Sequence, residues 1–223
     1  MESKNVMSKF KAVIFDLDGT LLDSIEDLAD SMNAVLAKAG YPVHDLQSYK
    51  YFVGNGMKNL VINALPPEHR NEDTIKIYTQ KMKEEYAKRW NVKTRPYEGI
   101  PELLDALETM GMDMAVLSNK PDNFTKIIVE ELLPKWKFSV VFGERTSVPR
   151  KPDPTGALEI AHILNLKPHE VLYLGDTGTD MKTAVSAGMY AVGALWGFRE
   201  KDELLENGAK VIIQNPLELL NIL

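Results

Sequence analysis

The sequence predicts an α/β fold, a doubly wound parallel sheet of the Rossmann-like kind with an inserted all-helical cap domain. Three observations carry this. Short apolar, β-rich runs recur at residues 12–15, 113–118, 139–142, 171–175, 190–194 and 211–213. Helical patterns separate the later runs, and continuous rather than alternating hydrophobicity marks strands buried on both faces. The alternation breaks once, between about residues 22 and 95, where only helical patterns occur.

Taken in order, Ala12-Val13-Ile14-Phe15 is a fully buried strand bounded by Lys11 and by a turn at Asp18-Gly19. Ser24-Ile25-Glu26-Asp27 has the pattern of a capping box and opens a helix running to Gly40. Residues 68–90 carry Tyr78, Met82, Tyr86 and Trp90 at steps of four, an apolar helical stripe suited to packing. The chain returns to the sheet through Arg95-Pro96-Tyr97 and Gly99. A helix over 102–110 places Leu103, Leu104, Leu107 and Met110 on one face, with Pro101 at its start and Gly111 at its end. Residues 155–164 and 202–207 read as helices, the second closing at Gly208. The division expected is an α/β core over 1–21 and 96–223 and a helical cap over 22–95.

Composition narrows the function. The 223 residues, 44% hydrophobic and 26% charged, are those of a globular chain able to bury a real core. Lys and Arg number 26 against 32 Asp and Glu, a net −6 with no basic block, so no nucleic-acid partner is expected. No apolar stretch spans a bilayer, and Met1 to Lys11 lack the apolar core of a signal peptide. With no cysteine as well, no membrane partner and a cytoplasmic location are expected. An anionic small-molecule partner stays open, because a metal ion and a few cations reverse the sign inside a site. His44, His69, His162 and His169 have no ligand-like spacing and read as surface or packing residues, and Trp136 and Trp196 as structural.

Four polar clusters stand at strand ends. Asp16 and Asp18 close the first strand, two residues apart and so on one side; like charges so close need a cation, a shared proton or solvent. Ser118-Asn119-Lys120-Pro121 follows the second, where a hydroxyl and backbone N–H groups suit a phosphate. Arg150-Lys151-Pro152-Asp153-Pro154 is a rigid basic turn, and Gly175-Asp176-Thr177-Gly178-Thr179-Asp180 follows the fourth strand. Each alone is ordinary: an Asp-Gly turn, a helix cap, a surface loop, a helix N-terminus with favourable acids. A doubly wound sheet puts these strand ends on one edge, so the clusters converge. Four acids without histidine or cysteine make a hard, all-oxygen site for which Mg²⁺ is the natural occupant. A lysine and a metal facing a carboxylate nucleophile is the apparatus of phosphoryl transfer.

Asp-Leu-Asp-Gly-Thr at 16–20, Ser118-Asn119-Lys120, Lys151-Pro152 and Gly175-Asp-x-x-x-Asp180 resemble, in order and spacing, the four motifs of the haloacid dehalogenase superfamily over essentially the whole chain. Leu21-Leu22-Asp23-Ser24, Val53-Gly54-Asn55-Gly56, Pro121 and Gly208-Ala209-Lys210 add a likeness to its phosphoglycolate phosphatase group. The resemblance implies a Mg²⁺-dependent phosphomonoester hydrolase acting on a small phosphorylated metabolite such as 2-phosphoglycolate. Asp16 would attack phosphorus to form an aspartyl-phosphate, and Asp18 would serve as acid and then base. Metal would be held by Asp16, the Asp18 backbone carbonyl and Asp176. Ser118, Asn119 and Lys151 would hold the phosphoryl group, with Asp180 and Thr20 in support. Gly54, Asn55 and Gly56 would meet the substrate from the cap, their alternative being a flexible turn. Three rivals stay open: a pyrophosphatase or nucleotidase of the same fold, a sugar-phosphate mutase, and a non-catalytic phosphate-binding regulator. Monomer and homodimer are equally compatible with the sequence.

Overall fold

The computed structural model describes residues 9–223. The absence of a signal peptide, read mainly on residues 1–8, lies outside the described residues. Strand β1 (Ala12–Phe15) leads into a short antiparallel ribbon, β2 (Leu22–Asp23) with β3 (Arg95–Pro96), paired Leu22 to Pro96 and Asp23 to Arg95. Between the ribbon strands lie α1 (Ile25–Lys38), α2 (Leu46–Phe52), α3 (Met57–Ala64), a 3₁₀ turn at Pro67–His69 and α4 (Glu72–Tyr86). The rest alternates as α5 (Ile100–Thr109), β4 (Asp113–Pro121), α6 (Asp122–Leu132), β5 (Val140–Glu144) and α7 (Thr155–Ile163). It ends with β6 (Val171–Gly175), α8 (Gly178–Ser186), β7 (Tyr190–Ala194), α9 (Lys201–Glu206) and β8 (Val211–Ile213).

All six sheet strands run parallel, in the order β5-β4-β1-β6-β7-β8. The chain therefore winds from β1 toward one edge and later toward the other, and the reversal falls beside β1. In open α/β sheets that point, outside the carboxyl ends of the strands, is where ligands bind. Register fixes what meets there. Phe15 pairs with Val116 on one side and Leu174 on the other, so Asp16, Ser118 and Asp176 all lie within two residues of one level.

Both sheet faces are buried, which is why the strands read as unbroken apolar runs. Val13, Phe15, Met114, Val116, Leu172 and Leu174 share one core with Leu103 and Leu107 of α5, Ile128 of α6 and the helical block. Ala12, Ile14, Ala115, Leu117 and Tyr173 share the other with Ala157 and Ile160 of α7 and Met181 and Ala184 of α8. Each fully buried Leu, Ile or Phe contributes roughly 1.5–3 kcal/mol relative to exposure.

Two local expectations are corrected. Ser24 does precede α1, but its side chain makes no capping bond and donates instead to Asp18 Oδ1 at 2.6 Å. Nor does Asp27 fold back onto the helix start. It accepts from the backbone N–H groups of Lys93 (2.9 Å) and Thr94 (2.8 Å) and from the Thr94 hydroxyl (2.7 Å), fastening the return segment. The long helix over 68–90 is also shorter. Pro66 and Pro67 keep the chain in an extended and then a 3₁₀ conformation, Asn71 caps Thr74 N–H at 3.0 Å, and α4 spans Glu72–Tyr86, with Trp90 buried from the turn beyond.

Candidate active site

Asp16 stands one residue past β1, its N–H donating to Leu174 O at 2.9 Å. Its Oδ1 accepts Leu17 N–H at 2.7 Å and lies 2.9 Å from Lys151 Nζ. Lys151 Nζ donates in turn to Asp180 Oδ1 at 2.7 Å, so a lysine side chain only 2% exposed bridges two carboxylates. Asp180 is fixed by a capping box at the start of α8, accepting from Thr177 Oγ1 at 2.6 Å and Thr177 N–H at 3.1 Å. Asp176, just beyond β6, accepts from the Thr20 hydroxyl at 3.0 Å and Phe198 N–H at 2.8 Å. Carboxylate oxygens of Asp16, Asp176 and Asp180 all lie within 4.8 Å of one another.

Backbone must approach closely for this. Gly19 has φ +87°, and a Cβ there would collide with the Asp176 carboxylate; one on Gly197 would strike Asp176 and the Gly19 carbonyl. The electrostatics follow from crowding. Burial, reinforced by Asp180, raises the Asp16 carboxyl well above its usual range, with Lys151 opposing. Burial and Asp180 likewise push Asp176 up to about 7. Burial alone would lower the Lys151 ammonium, but Asp16 and Asp180 outweigh it and raise it.

Asp18 belongs to a different group. Its Oδ1 accepts from Ser24 Oγ and from Lys120 Nζ at 2.8 Å, and its carboxylate is not part of the three-acid cluster. The metal role implied for Asp18 runs through its backbone carbonyl and is separate from these contacts. Lys120 Nζ also donates to Tyr86 Oη at 2.8 Å, reaching the end of α4. Ser118 does not cap α6, whose N-cap is Pro121; its Oγ accepts Lys120 N–H at 3.1 Å. Asn119 ties the second and third clusters together, donating to Lys151 O at 3.1 Å and accepting Lys151 N–H at 3.0 Å.

A cleft lies between the sheet edge and the helical block, lined by Asp16, Asp18, Ser118, Asn119 and Lys120 on one side and by Leu28, Gly54, Gly56, Met57 and Leu60 on the other. Asn55 does not line it: its Oδ1 accepts the Thr179 hydroxyl at 3.1 Å. The helical block is held down further by Asn119 Nδ2 on Gly54 O at 3.2 Å, and by buried Arg199, which donates to the carbonyls of Lys50 and Val53. Thus Asp16, Asp18, Thr20, Ser118, Asn119, Lys151, Asp176 and Asp180 come together, with Gly54 and Gly56 facing them. Sequence reading missed Ser24, Lys120, Tyr86 and Arg199. Lys120 carried a signal in its place directly after Ser118-Asn119, and Ser24 in the Leu21-Leu22-Asp23-Ser24 run.

Known proteins resemble this chain in sequence and in fold. The sequence matches the family model of the haloacid dehalogenase-like hydrolases over residues 13–194. It is 32% identical over 188 residues to a phosphoglycolate phosphatase of Aquifex aeolicus, covering 84% of this chain and 86% of that one. It is also 32% identical over 216 residues to an N-acetylmuramic acid 6-phosphate phosphatase of Pseudomonas aeruginosa, covering 96% and 95%. A solved structure of a predicted phosphoglycolate phosphatase from Haemophilus somnus superposes with a TM-score of 0.86 at 27% identity, covering 97% of this chain and 99% of that one. The chain belongs to the haloacid dehalogenase-like hydrolases, and within them it is a phosphatase of the phosphoglycolate phosphatase-like group.

Proposed function

We propose that this phosphatase hydrolyses phosphate esters of small hydroxy acids through an aspartyl-phosphate on Asp16, with Mg²⁺ as cofactor. The observation that carries this is the pairing of an acid held by Lys151 with a second acid, Asp18, on the same wall of one cleft. Three buried carboxylates against one ammonium leave uncompensated negative charge, and their oxygen donors suit Mg²⁺. Asp16, Asp176 and the Asp18 backbone carbonyl would hold the ion. Bound there, Mg²⁺ would supply positive charge to the phosphoryl oxygens and favour the ionised form of Asp16.

An Asp16 oxygen attacks phosphorus while the ester P–O bond breaks, and Asp18 gives its proton to the departing oxygen. A water then attacks phosphorus and returns a proton to Asp18, the bond from Asp16 to phosphorus breaks, and phosphate leaves. Ser118 and Lys151 hold the transferring group, Asn119 positions Lys151 through two main-chain bonds, Asp180 orients the Lys151 ammonium, and Thr20 steadies Asp176. Residues 22–95 act as the cap, with Gly54 and Gly56 at the cleft and Asn55 held by the Thr179 hydroxyl instead. Excluding bulk water protects the first step.

Phosphoglycolate and N-acetylmuramic acid 6-phosphate, the substrates in the two relatives' names, are both phosphate esters of a carboxylic acid, and this supports the substrate class. The test is phosphate release from 2-phosphoglycolate and N-acetylmuramic acid 6-phosphate, with and without Mg²⁺, for wild type and Asp16→Asn. Fast Mg²⁺-dependent release lost in the variant supports nucleophile, metal and substrate class together. Release only from p-nitrophenyl phosphate keeps the chemistry and removes the substrate class. No release from any ester sinks the reading.

A further inference from the structure

Two lysines are buried among the described residues, and the mechanism above uses only Lys151. Lys120 has a side chain 3% exposed at the end of β4. A buried ammonium without partners is heavily destabilising, so its partners show what it is there for. It has two, each at 2.8 Å: Asp18 Oδ1 and Tyr86 Oη. Its Nζ also lies 4.7 Å from the centroid of the Tyr86 ring. Tyr86 is fully buried and packs edge-on against Phe124 of α6, with ring centroids 5.5 Å apart. The chain of contact thus runs from the last residue of α4, through Lys120, to a carboxylate of the reaction.

The oxygen taken is informative. Ser24 and Lys120 both engage Oδ1 of Asp18, and no hydrogen bond from a described residue reaches Oδ2. A carboxylate pinned at one oxygen cannot rotate, so Oδ2 is the atom left to exchange a proton with the leaving group. We infer that Lys120 is a positioning residue for the acid-base role of Asp18, and that Tyr86 makes this positioning depend on α4 being seated. The inference rests on the role proposed above for Asp18. In consequence the acid is aimed only when the helical block covers the cleft, so chemistry and coverage are coupled through one ammonium.

Leaving-group chemistry tests this. An alkoxide needs a proton to depart, whereas p-nitrophenolate departs readily without one. The comparison is kcat/KM, which reports the steps through ester cleavage, on an alkyl phosphate that wild type turns over (2-phosphoglycolate first) against p-nitrophenyl phosphate. Lys120→Met is expected to lower the alkyl value by about 100-fold and the aryl value by less than about 10-fold, within the usual span of general acid catalysis. Lys120→Arg is expected to recover part of the alkyl rate. Tyr86→Phe, which keeps the packing ring, is expected to move the ratio the same way by about 3–10-fold. Equal losses on both substrates, or none, would overturn the role of Lys120, and an unmoved ratio in Tyr86→Phe would overturn the link to α4 even where Lys120→Met does not fold. Asp18→Asn is the control: if it shows no alkyl-specific loss, the acid role itself fails, and the inference falls with it.

Discussion

Two buried carboxylate clusters in this molecule have opposite charge ratios. At the sheet edge, Asp16, Asp176 and Asp180 share one ammonium, and burial with mutual repulsion raises Asp16 and Asp176. In the helical block a single acid, Glu85 of α4, is met by three cations: Lys38 of α1 at 3.2 Å, Lys88 at 3.3 Å, and Arg89. Hydrogen bonds from Arg89 and Lys38 hold the Glu85 carboxyl down to about 2. One cluster is over-compensated and serves the fold by fastening α4 to α1. The other is under-compensated, which a fold alone has no use for and a cation-binding reaction centre requires.

The largest effect that breaks this contrast is expected in Asp16→Asn. Phosphate release should fall by at least about 10³-fold, since no nucleophile remains. Thermal stability should hold or rise, because a crowded charge is removed while Lys151 keeps Asp180. Parallel loss of activity and melting temperature would reassign Asp16 to the fold.

Asp176→Asn sharpens the contrast next. Without metal it should stabilise the protein at neutral pH by about 1 kcal/mol, and it should abolish the rise in melting temperature on adding Mg²⁺. Calorimetry with and without Mg²⁺ reads both effects, and an undiminished Mg²⁺ shift would exclude Asp176 as a ligand.

Glu85→Gln is the opposite case. Its cations are largely exposed on two of three sides, so a loss of roughly 1–2 kcal/mol is expected, seen in denaturant midpoints, with kcat on any turned-over ester unchanged.

The smallest effects, but with opposite signs, lie in pH. The folded pKa of Asp176 is raised, so its contribution is full below about 4 and is lost as pH rises through about 7. Metal-free protein should therefore lose melting temperature between pH 5 and 8, and Mg²⁺ should restore more at pH 8 than at pH 5. The folded pKa of Glu85 is depressed, so its contribution is present above about 4.5 and disappears as pH falls toward 2. Glu85→Gln should flatten the acid limb of the stability profile and leave the alkaline limb alone.

What could be read in the sequence was whatever depends on short range. Unbroken apolar runs such as Val13-Ile14-Phe15 and Val171-Leu172-Tyr173-Leu174 declare strands covered on both faces, and the polar residues after them follow from the strand ends. Local propensity also misled where a distant partner outbid it. Ser24 has the composition of a helix cap, yet the Asp18 carboxylate is a stronger acceptor than an orphan N–H is a donor, and Asp27 goes to Lys93 and Thr94, 66 and 67 residues on. Lys120 and Tyr86, 34 residues apart on different elements, could not be paired by any periodicity. Arg199 gave no signal in the sequence because the carbonyls it reaches, those of Lys50 and Val53, are backbone atoms that leave no trace in composition.

Those Arg199 bonds, with Asn119 to Gly54 and Thr179 to Asn55, join the helical block to the sheet edge around the cleft. At about 1 kcal/mol net apiece, parting the two would cost about 4 kcal/mol in these four bonds alone. A ligand able to enter only after that parting would have its apparent affinity lowered by the same energy, so these four bonds weigh on every ester before any phosphorus is touched.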